Sequence, residues 1–410
     1  MNILNEKNYN FSIPVFSINS ILSIIFLFQW IEKNDKHIFV LLGGSYIIKL
    51  ILLLREEFIT NLVLTSDMAI YQRAAVLFYY FNTPILAGHW SNAALFMGSF
   101  YKIFGIQTLL LRHFNLTCIL MSGLIIYKIL KKINIHVKYI TLVTIWIQFS
   151  PYLLGNSITI HQESMITFSI SLSLYFFICW FLEGGRFQFI LTILFALPAI
   201  MLHAGTYGIA VGYFIVMTLY SPEKKKFLFD NRTITTLVIF IFSFLVMYFT
   251  AFNIFFQKFS GRTIEGIIAG VEYAKGGSYY SVGGHISNIG EAILYTPLRM
   301  IYFFMSPMPW NWRGFRDMIG FFISGALYGF QLFLAFAEIR HKNMKNHTMV
   351  CALLFPLISF GFIFGWGVKN AGTAIRHRDK AISIAAVIMA LCLDDFSTKR
   401  KRSKKFLIFQ

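Results

Sequence analysis

Uncharged apolar stretches of about 18–20 residues recur along this chain, and they constrain its fold more than any other feature. Inside hydrocarbon a backbone must satisfy its own N–H and C=O groups, and long continuous runs do so as helices. About eleven spans are expected, at residues 12–31, 38–54, 107–129, 137–155, 164–182, 187–203, 206–220, 234–253, 318–337, 348–366 and 380–394. A soluble chain of 410 residues, 57% hydrophobic and 13% charged, could not hide that much apolar surface. The fold class is therefore all-α: a polytopic integral membrane protein, read as a single transmembrane domain over 1–410. The first apolar run, Phe11 to Ile31, lacks a small-residue cleavage site and is expected to stay as a span.

The net charge of +18 suggests nucleic acid until its distribution is followed. Lys128, Lys131, Lys132 and Lys138 form one short cluster, Lys224, Lys225, Lys226 and Arg232 a second, and Arg340, Lys342 and Lys345 a third. The largest is the tail at 396–410, with Lys399, Arg400, Lys401, Arg402, Lys404 and Lys405. Such clusters between spans follow the positive-inside pattern, not a groove for phosphates. They place the amino terminus outside, the carboxy terminus in the cytoplasm, and two long loops, 55–106 and 253–317, outside. Within the second, 288–306 is apolar but carries Glu291, Pro297 and Arg299. If it spanned, the basic cluster at 340–345 would fall outside, so it is expected to be re-entrant or interfacial. Lys49 is the nearest residue to a mid-span ion, at a position from which a lysine can snorkel.

Polar residues concentrate on the outer side. Asp67 opens a helical stretch, S-D-M-A-I-Y-Q-R, with Tyr71 on its own side of the helix and Arg73 two residues further. Two roles fit Asp67, or its neighbour Ser66: a helix N-cap, or for Asp67 a general base at the membrane face. His89 lies in the same loop. Glu163 begins a span, either as a helix-end acid favoured by the positive N-terminus or as an anchor for an arginine or an acceptor. His203 sits in a short outer turn, as a satisfied turn residue or a substrate contact. Arg299, Arg376 and Arg378 fall in the last two outer segments, where guanidinium forks suit lipid-phosphate oxygens, whether of a donor or of headgroups. Trp90, Trp310 and Trp312 suit an interfacial belt or a sugar platform.

No phosphate loop, dinucleotide fingerprint, HExxH or Cys/His metal set is present, and Cys118, Cys179, Cys351 and Cys392 all lie in apolar runs. No cofactor or metal is expected. No soluble stretch is long enough for a nucleotide-sugar domain, which points to a lipid-linked sugar donor.

These stretches resemble the GT-C superfamily of polyprenyl-phosphate-sugar transferases. The likeness is carried by S-D-M-A-I-Y, by the amphipathic G-H-W-S-N-A-A-L-F-M-G-S-F-Y-K-I-F-G, by R-H-F-N, by P-Y-L-L-G-N-S leading to E-S-M-I-T-F, and by G-T-A-I-R-H-R. The resemblance implies that Asp67, the first-loop acid, is the catalytic base. H-Q-E-S-M-I-T-F and R-F-Q-F-I-L-T-I-L-F-A-L-P-A-I-M-L-H-A-G also resemble segments of the EpsG and Wzy polysaccharide polymerases, with His161 where those carry arginine. Two spans precede the Asp67 loop where the GT-C pattern has one, and no second acid directly follows Asp67. The expected function is a glycosyltransferase of the bacterial plasma membrane, using an undecaprenyl-linked sugar on the extracytoplasmic face for surface polysaccharide assembly. Its partners would be that donor, a glycan or lipid-linked acceptor, and the bilayer. A polymerase of lipid-linked repeats and a flippase of lipid-linked oligosaccharide are the alternatives.

Overall fold

The computed structural model describes residues 9–59, 66–82, 89–228, 234–235, 238, 278–280, 282 and 289–408, without the side chains of 9–10, 66–67, 89–91, 289 and 400–408. Among the described residues, strand pairing in named strands is confined to one small hairpin, Tyr220–Ser221 against Lys226–Phe227. Seven helical stretches are long and apolar enough to cross a membrane: Phe11–Trp30, Lys33–Phe58, Thr108–Lys132, Glu163–Glu183, Phe315–Arg340, His347–Gly367 and Ala371–Lys399. They overlap seven of the expected spans. Three more expected spans meet shorter helices, Val137–Phe149, Arg186–Leu202 and Ala204–Leu219. The longest of these rises about 25 Å at 1.5 Å per residue, short of a hydrocarbon core of about 30 Å. The expected span 234–253 lies outside the described residues except for 234, 235 and 238.

In chain order the helices are α1 (Tyr9–Trp30), α2 (Lys36–Phe58), α3 (Ser66–Phe81), α4 (His89–Phe104), α5 (Thr108–Lys132), α6 (Val137–Phe149), α7 (Pro151–Ser157) and α8 (Glu163–Glu183). They continue as α9 (Arg186–Leu202), α10 (Tyr207–Leu219), α11 (Ile289–Met305), α12 (Phe315–Gly320), α13 (Ala326–Arg340), α14 (His347–Gly367), α15 (Ala371–Arg378) and α16 (Ile382–Ile408). The centre is built from α5, α8 and α16. In α5, 78% of the most apolar stretch is buried, against 22% in α1. The outer helices turn Ile18, Ile21, Phe28, Ile51 and Phe333 outward, an arrangement water would penalise and lipid favours.

Close packing uses small residues where helices cross. In α10, Gly208 and Gly212 form a small-xxx-small pair against α14. A Cβ on Gly212 would come within 2.2 Å of Pro356 Cα, and one on Gly208 within 2.7 Å of Ser359 O. Lipid gives helices no hydrophobic reason to associate, so dispersion across such contacts carries much of the attraction.

The segments expected on one side of the bilayer gather at one end of the bundle. Lys131 pairs with Glu32 at 2.8 Å and Asp35 at 3.0 Å, and Lys132 with Glu183 at 2.5 Å. Asp394 accepts from the His136 backbone at 3.2 Å and Asp395 from the Asn346 backbone at 2.7 Å. At the opposite end, Arg112 meets Glu57, Asn92 meets Met201, and Tyr280 N–H donates to Lys369 O at 2.9 Å.

α11 runs antiparallel to α14. Gly365 faces Arg299 and Met300, and Gly361 faces Met300 and Phe304. The chain then turns at Ser306–Pro307 and comes back, for Gly325 packs against Met305 O. The segment runs beside α14 and then reverses, forming a helical hairpin with α13. Its outward face is apolar, with Ile293, Leu294, Leu298 and Ile301 exposed.

Lys49 does not snorkel. It is 1% exposed, near the middle of α2, and Nζ donates to Gln148 Oε1 at 2.6 Å. Ser45 donates to the same oxygen, and Gln148 Nε2 donates to Ile119 O.

Candidate functional site

The site lies at the end of the bundle where α8 begins and α15 turns into α16. Glu163 is 1% exposed. Its Oε1 accepts from Arg376 Nε at 2.6 Å and lies 3.9 Å from Lys380 Nζ, while Oε2 is 3.6 Å from His161 Nδ1. Arg376 and Lys380 reach it together because residues four apart share one helix face, and the segment 371–381 is helical throughout. The expected outer loop 367–380 is thus mostly the first turns of the last long helix. Among the described residues no group of three His, Cys, Asp or Glu side chains gathers as metal ligands do.

Two imidazoles flank the cations. Lys380 Nζ lies 2.8 Å from His377 Nδ1, within hydrogen-bond distance. Likewise the Gly205 N–H donates to His203 Nδ1 at 3.2 Å. The two rings lie 4.7 Å apart, both against Phe364, and Lys380 rests over the same phenyl ring at 5.6 Å.

The stretch leading into Glu163 is held by side chains from α5. Arg112 Nε donates to Ile158 O at 2.7 Å, and Asn115 Nδ2 donates to Thr159 O at 2.8 Å and His161 O at 2.9 Å. Glu57 on α2 pins Arg112 in turn, 2.5 Å from Nη1. The loop ends with His161 edge-on to Tyr71, ring centroids 6.1 Å apart. Tyr71 is fully buried on α3, one helical turn after Asp67. α3 is backed by α4, where Tyr101 OH donates to Gln72 Oε1 at 2.5 Å. The backbone therefore starts the Asp67 helix one turn from the His161–Glu163 cluster; the Asp67 side chain itself lies outside the described residues, as does that of His89.

Arg378 faces the other way. Two residues beyond Arg376, it is fully buried, and its guanidinium donates to Ser324 Oγ at 2.9 Å, Phe304 O at 2.9 Å, Gly320 O at 3.4 Å and Ser306 O. These carbonyls lie at the end of α11 and beside the π-type turn at Phe321–Gly325, where the regular i→i−4 ladder is broken. The fork satisfies them and holds the hairpin of α11 and α13. Asp379 beside it accepts from Ser150 Oγ at 2.6 Å. Arg299, also buried, donates to Val282 O at 3.1 Å and lies 4.4 Å from the Trp366 ring. Trp310 is exposed, and Trp312 Nε1 donates to Pro307 O.

Of the residues singled out in the sequence, Glu163, Arg376, His203 and Tyr71 come together. Arg378, at the end of α15, binds the hairpin, Arg299 lies within α11, and Arg73 points to the exposed side of α3. His377, Lys380, Asp379 and Glu57 belong to the assembly and were not singled out. The run R-H-R-D-K carried a signal for Lys380, its i,i+4 spacing from Arg376, visible once that run is taken as helix. Comparison with known protein families, curated proteins and solved structures finds no match to this chain.

Proposed function

We propose that the chain is a membrane glycosyltransferase with about eleven spans, 234–253 among them. It transfers a sugar, or a lipid-linked repeat as a polymerase would, from an undecaprenyl-linked donor to a surface-glycan acceptor on the extracytoplasmic face of a bacterial plasma membrane. The observation that carries this reading is the one-sided site: Glu163, Arg376, Lys380, His377 and His203 are packed at one end of the bundle, beside the helix that Asp67 opens. In the reaction the Asp67 carboxylate takes the acceptor O–H proton. The acceptor oxygen forms the new bond to the anomeric carbon, and the bond from that carbon to the phosphate oxygen breaks. The electron pair leaves with the lipid phosphate, and displacement inverts the anomeric centre. Arg376 and Lys380 neutralise the departing phosphate, while Glu163 holds Arg376 in place. The leaving group is a good one, so placement and charge neutralisation supply most of the acceleration.

Donor affinity tests the phosphate assignment. Arg376→Ala is expected to weaken binding of undecaprenyl phosphate at least tenfold, since losing a charged contact costs on the order of 2 kcal/mol or more. Arg376→Lys, which keeps the charge, should lose less. Equal affinity in the alanine variant and the parent removes Arg376 from the donor site.

The orientation is tested separately by cysteine labelling of intact cells. A cysteine at Ser278, hydrogen-bonded to Asn370 near the site, is expected to react from outside. One at Ser221, in the hairpin at the opposite end, is expected to stay protected. The reverse pattern would put the site in the cytoplasm and end the proposal of an extracytoplasmic lipid donor.

A flippase is the second reading, favoured by Lys49, a buried mid-helix cation with an amide rather than a carboxylate as partner. It predicts that Lys49→Met abolishes lipid movement. The transferase reading predicts full glycan synthesis from a donor supplied on the outer face.

A further inference from the structure

Between the end of α7 at Ser157 and the start of α8 at Glu163, five residues run outside any regular helix. The last carbonyls of a helix have no partner within it, and a stretch without a ladder must find its hydrogen bonds elsewhere. Here α5 supplies them. Arg112 Nε donates to Ile158 O at 2.7 Å, and Asn115 Nδ2 donates to Thr159 O at 2.8 Å and His161 O at 2.9 Å. Three carbonyls of the loop are therefore tied to two side chains that stand three apart on one face of a neighbouring helix. Glu57, in the last turn of α2, fixes Arg112 in turn at 2.5 Å.

Stability alone does not account for this arrangement. Arg112 is 5% exposed and Glu57 4%. Burying both members of an ion pair costs about as much desolvation as their attraction returns, so such a pair is weak evidence for stability and better evidence for a fixed register. Register is what Glu163 needs. A helix turns about 100° per residue, so a slip of one residue at the start of α8 would swing the carboxylate away from Arg376, whose Nε it meets at 2.6 Å. The same slip would part His161 from Tyr71 on α3.

We propose that Arg112 and Asn115 are positioning residues: acting through the 158–162 loop, they set where Glu163 holds Arg376, and so the donor-phosphate site, without touching the donor themselves. The lipid phosphate as ligand rests on the transferase reading; the placement of Glu163 and Arg376 does not. Glu57 extends the clamp to α2, and the contact of Tyr71 with His161 extends it to α3, so the helix that Asp67 opens shares the same support.

The test uses the full-length protein in lipid nanodiscs, with undecaprenyl phosphate as the probe. Asn115→Leu keeps the size of the side chain and removes both donated bonds. Arg112→Lys keeps the charge towards Glu57 but gives up the Nε donor, and it is the second variant should the first fail to fold. Each is expected to weaken binding about tenfold, the worth of roughly one hydrogen bond. In an Arg376→Ala background either change should cost less than about twofold more, because the residue it positions is gone. A general loosening of the fold would instead multiply the two losses. Affinity equal to the parent in both variants, or losses that multiply, overturns the proposal. Melting temperatures give a reading that needs no ligand. Asn115→Leu and Glu163→Ala combined should lower the melting temperature by less than the sum of their separate shifts. If the parent protein binds no undecaprenyl phosphate, the lipid-donor reading falls and this comparison decides: shifts below the sum keep the positioning role, and additive shifts end it.

Discussion

Asp67→Asn is expected to lower glycan formation by roughly 10²–10⁴-fold, the usual contribution of a general base. Asparagine caps helices about as well as aspartate, so a residue that merely starts α3 should tolerate the change without loss of expression or melting temperature. What changes is proton affinity: an amide cannot take the acceptor's hydroxyl proton. The placement of α3 gives the prediction its force. Its first turn leads into Tyr71, whose buried ring meets His161, and His161 stands beside Glu163 and the arginine it holds. A base at the head of this helix lies one turn of chain from the proposed donor phosphate site. The decisive measurement is glycan made by the folded Asn variant, with purified undecaprenyl-linked sugar as the only donor. Near-normal product would reduce Asp67 to a cap, and the catalytic base would have to be sought elsewhere, with Glu163 first in line.

Glu163→Ala should have the largest effect on stability, about 3 kcal/mol, because it leaves buried cations without their counter-charge. Lys380 is fully buried and Arg376 partly so, and both face the same carboxylate. Without it, their repulsion and lost solvation act on the junction of α8 with α15. Glu163→Gln should fall between, since an amide oxygen can still accept from Arg376 but carries no charge. Chemical unfolding in detergent micelles measures the difference. If undecaprenyl phosphate restores part of the lost stability in the alanine variant, the phosphate has replaced the carboxylate as counter-ion. Alanine and parent proteins of equal stability would mean that Arg376 and Lys380 find other partners, and the cluster would cease to be the centre of the site.

Much of the architecture was readable from hydropathy. Continuous apolar runs must be helical in lipid whatever surrounds them, so long helices follow from local composition alone. The apolar run at 288–306 was visible too, and over its described part it forms one helix, Ile289–Met305. The three shorter helices were harder to bound, since an apolar run does not mark where the backbone stops being helical. Residues 367–380 look like a loop because they are polar, yet 371–380 within them are helical. Burial by neighbouring helices, not their own composition, makes that favourable.

Sequence alone determined that the chain is helical, with stretches long and apolar enough to cross a membrane, and that its polar residues are concentrated in particular segments. It could also supply Glu163 and Arg376 as candidates, because charge near an apolar run is locally visible. Only the tertiary structure decided what each does. Arg376 and Arg378 are the same residue type two positions apart, yet one grips a carboxylate from α8 and the other a set of carbonyls in the hairpin. Lys49 is held inside by Gln148, almost a hundred residues away in the chain, where an isolated helix would let it reach the surface. A helix turns about 100° per residue, so the direction of a side chain can be read from spacing. What lies in that direction depends on helices packed from distant parts of the chain, and that is fixed by packing.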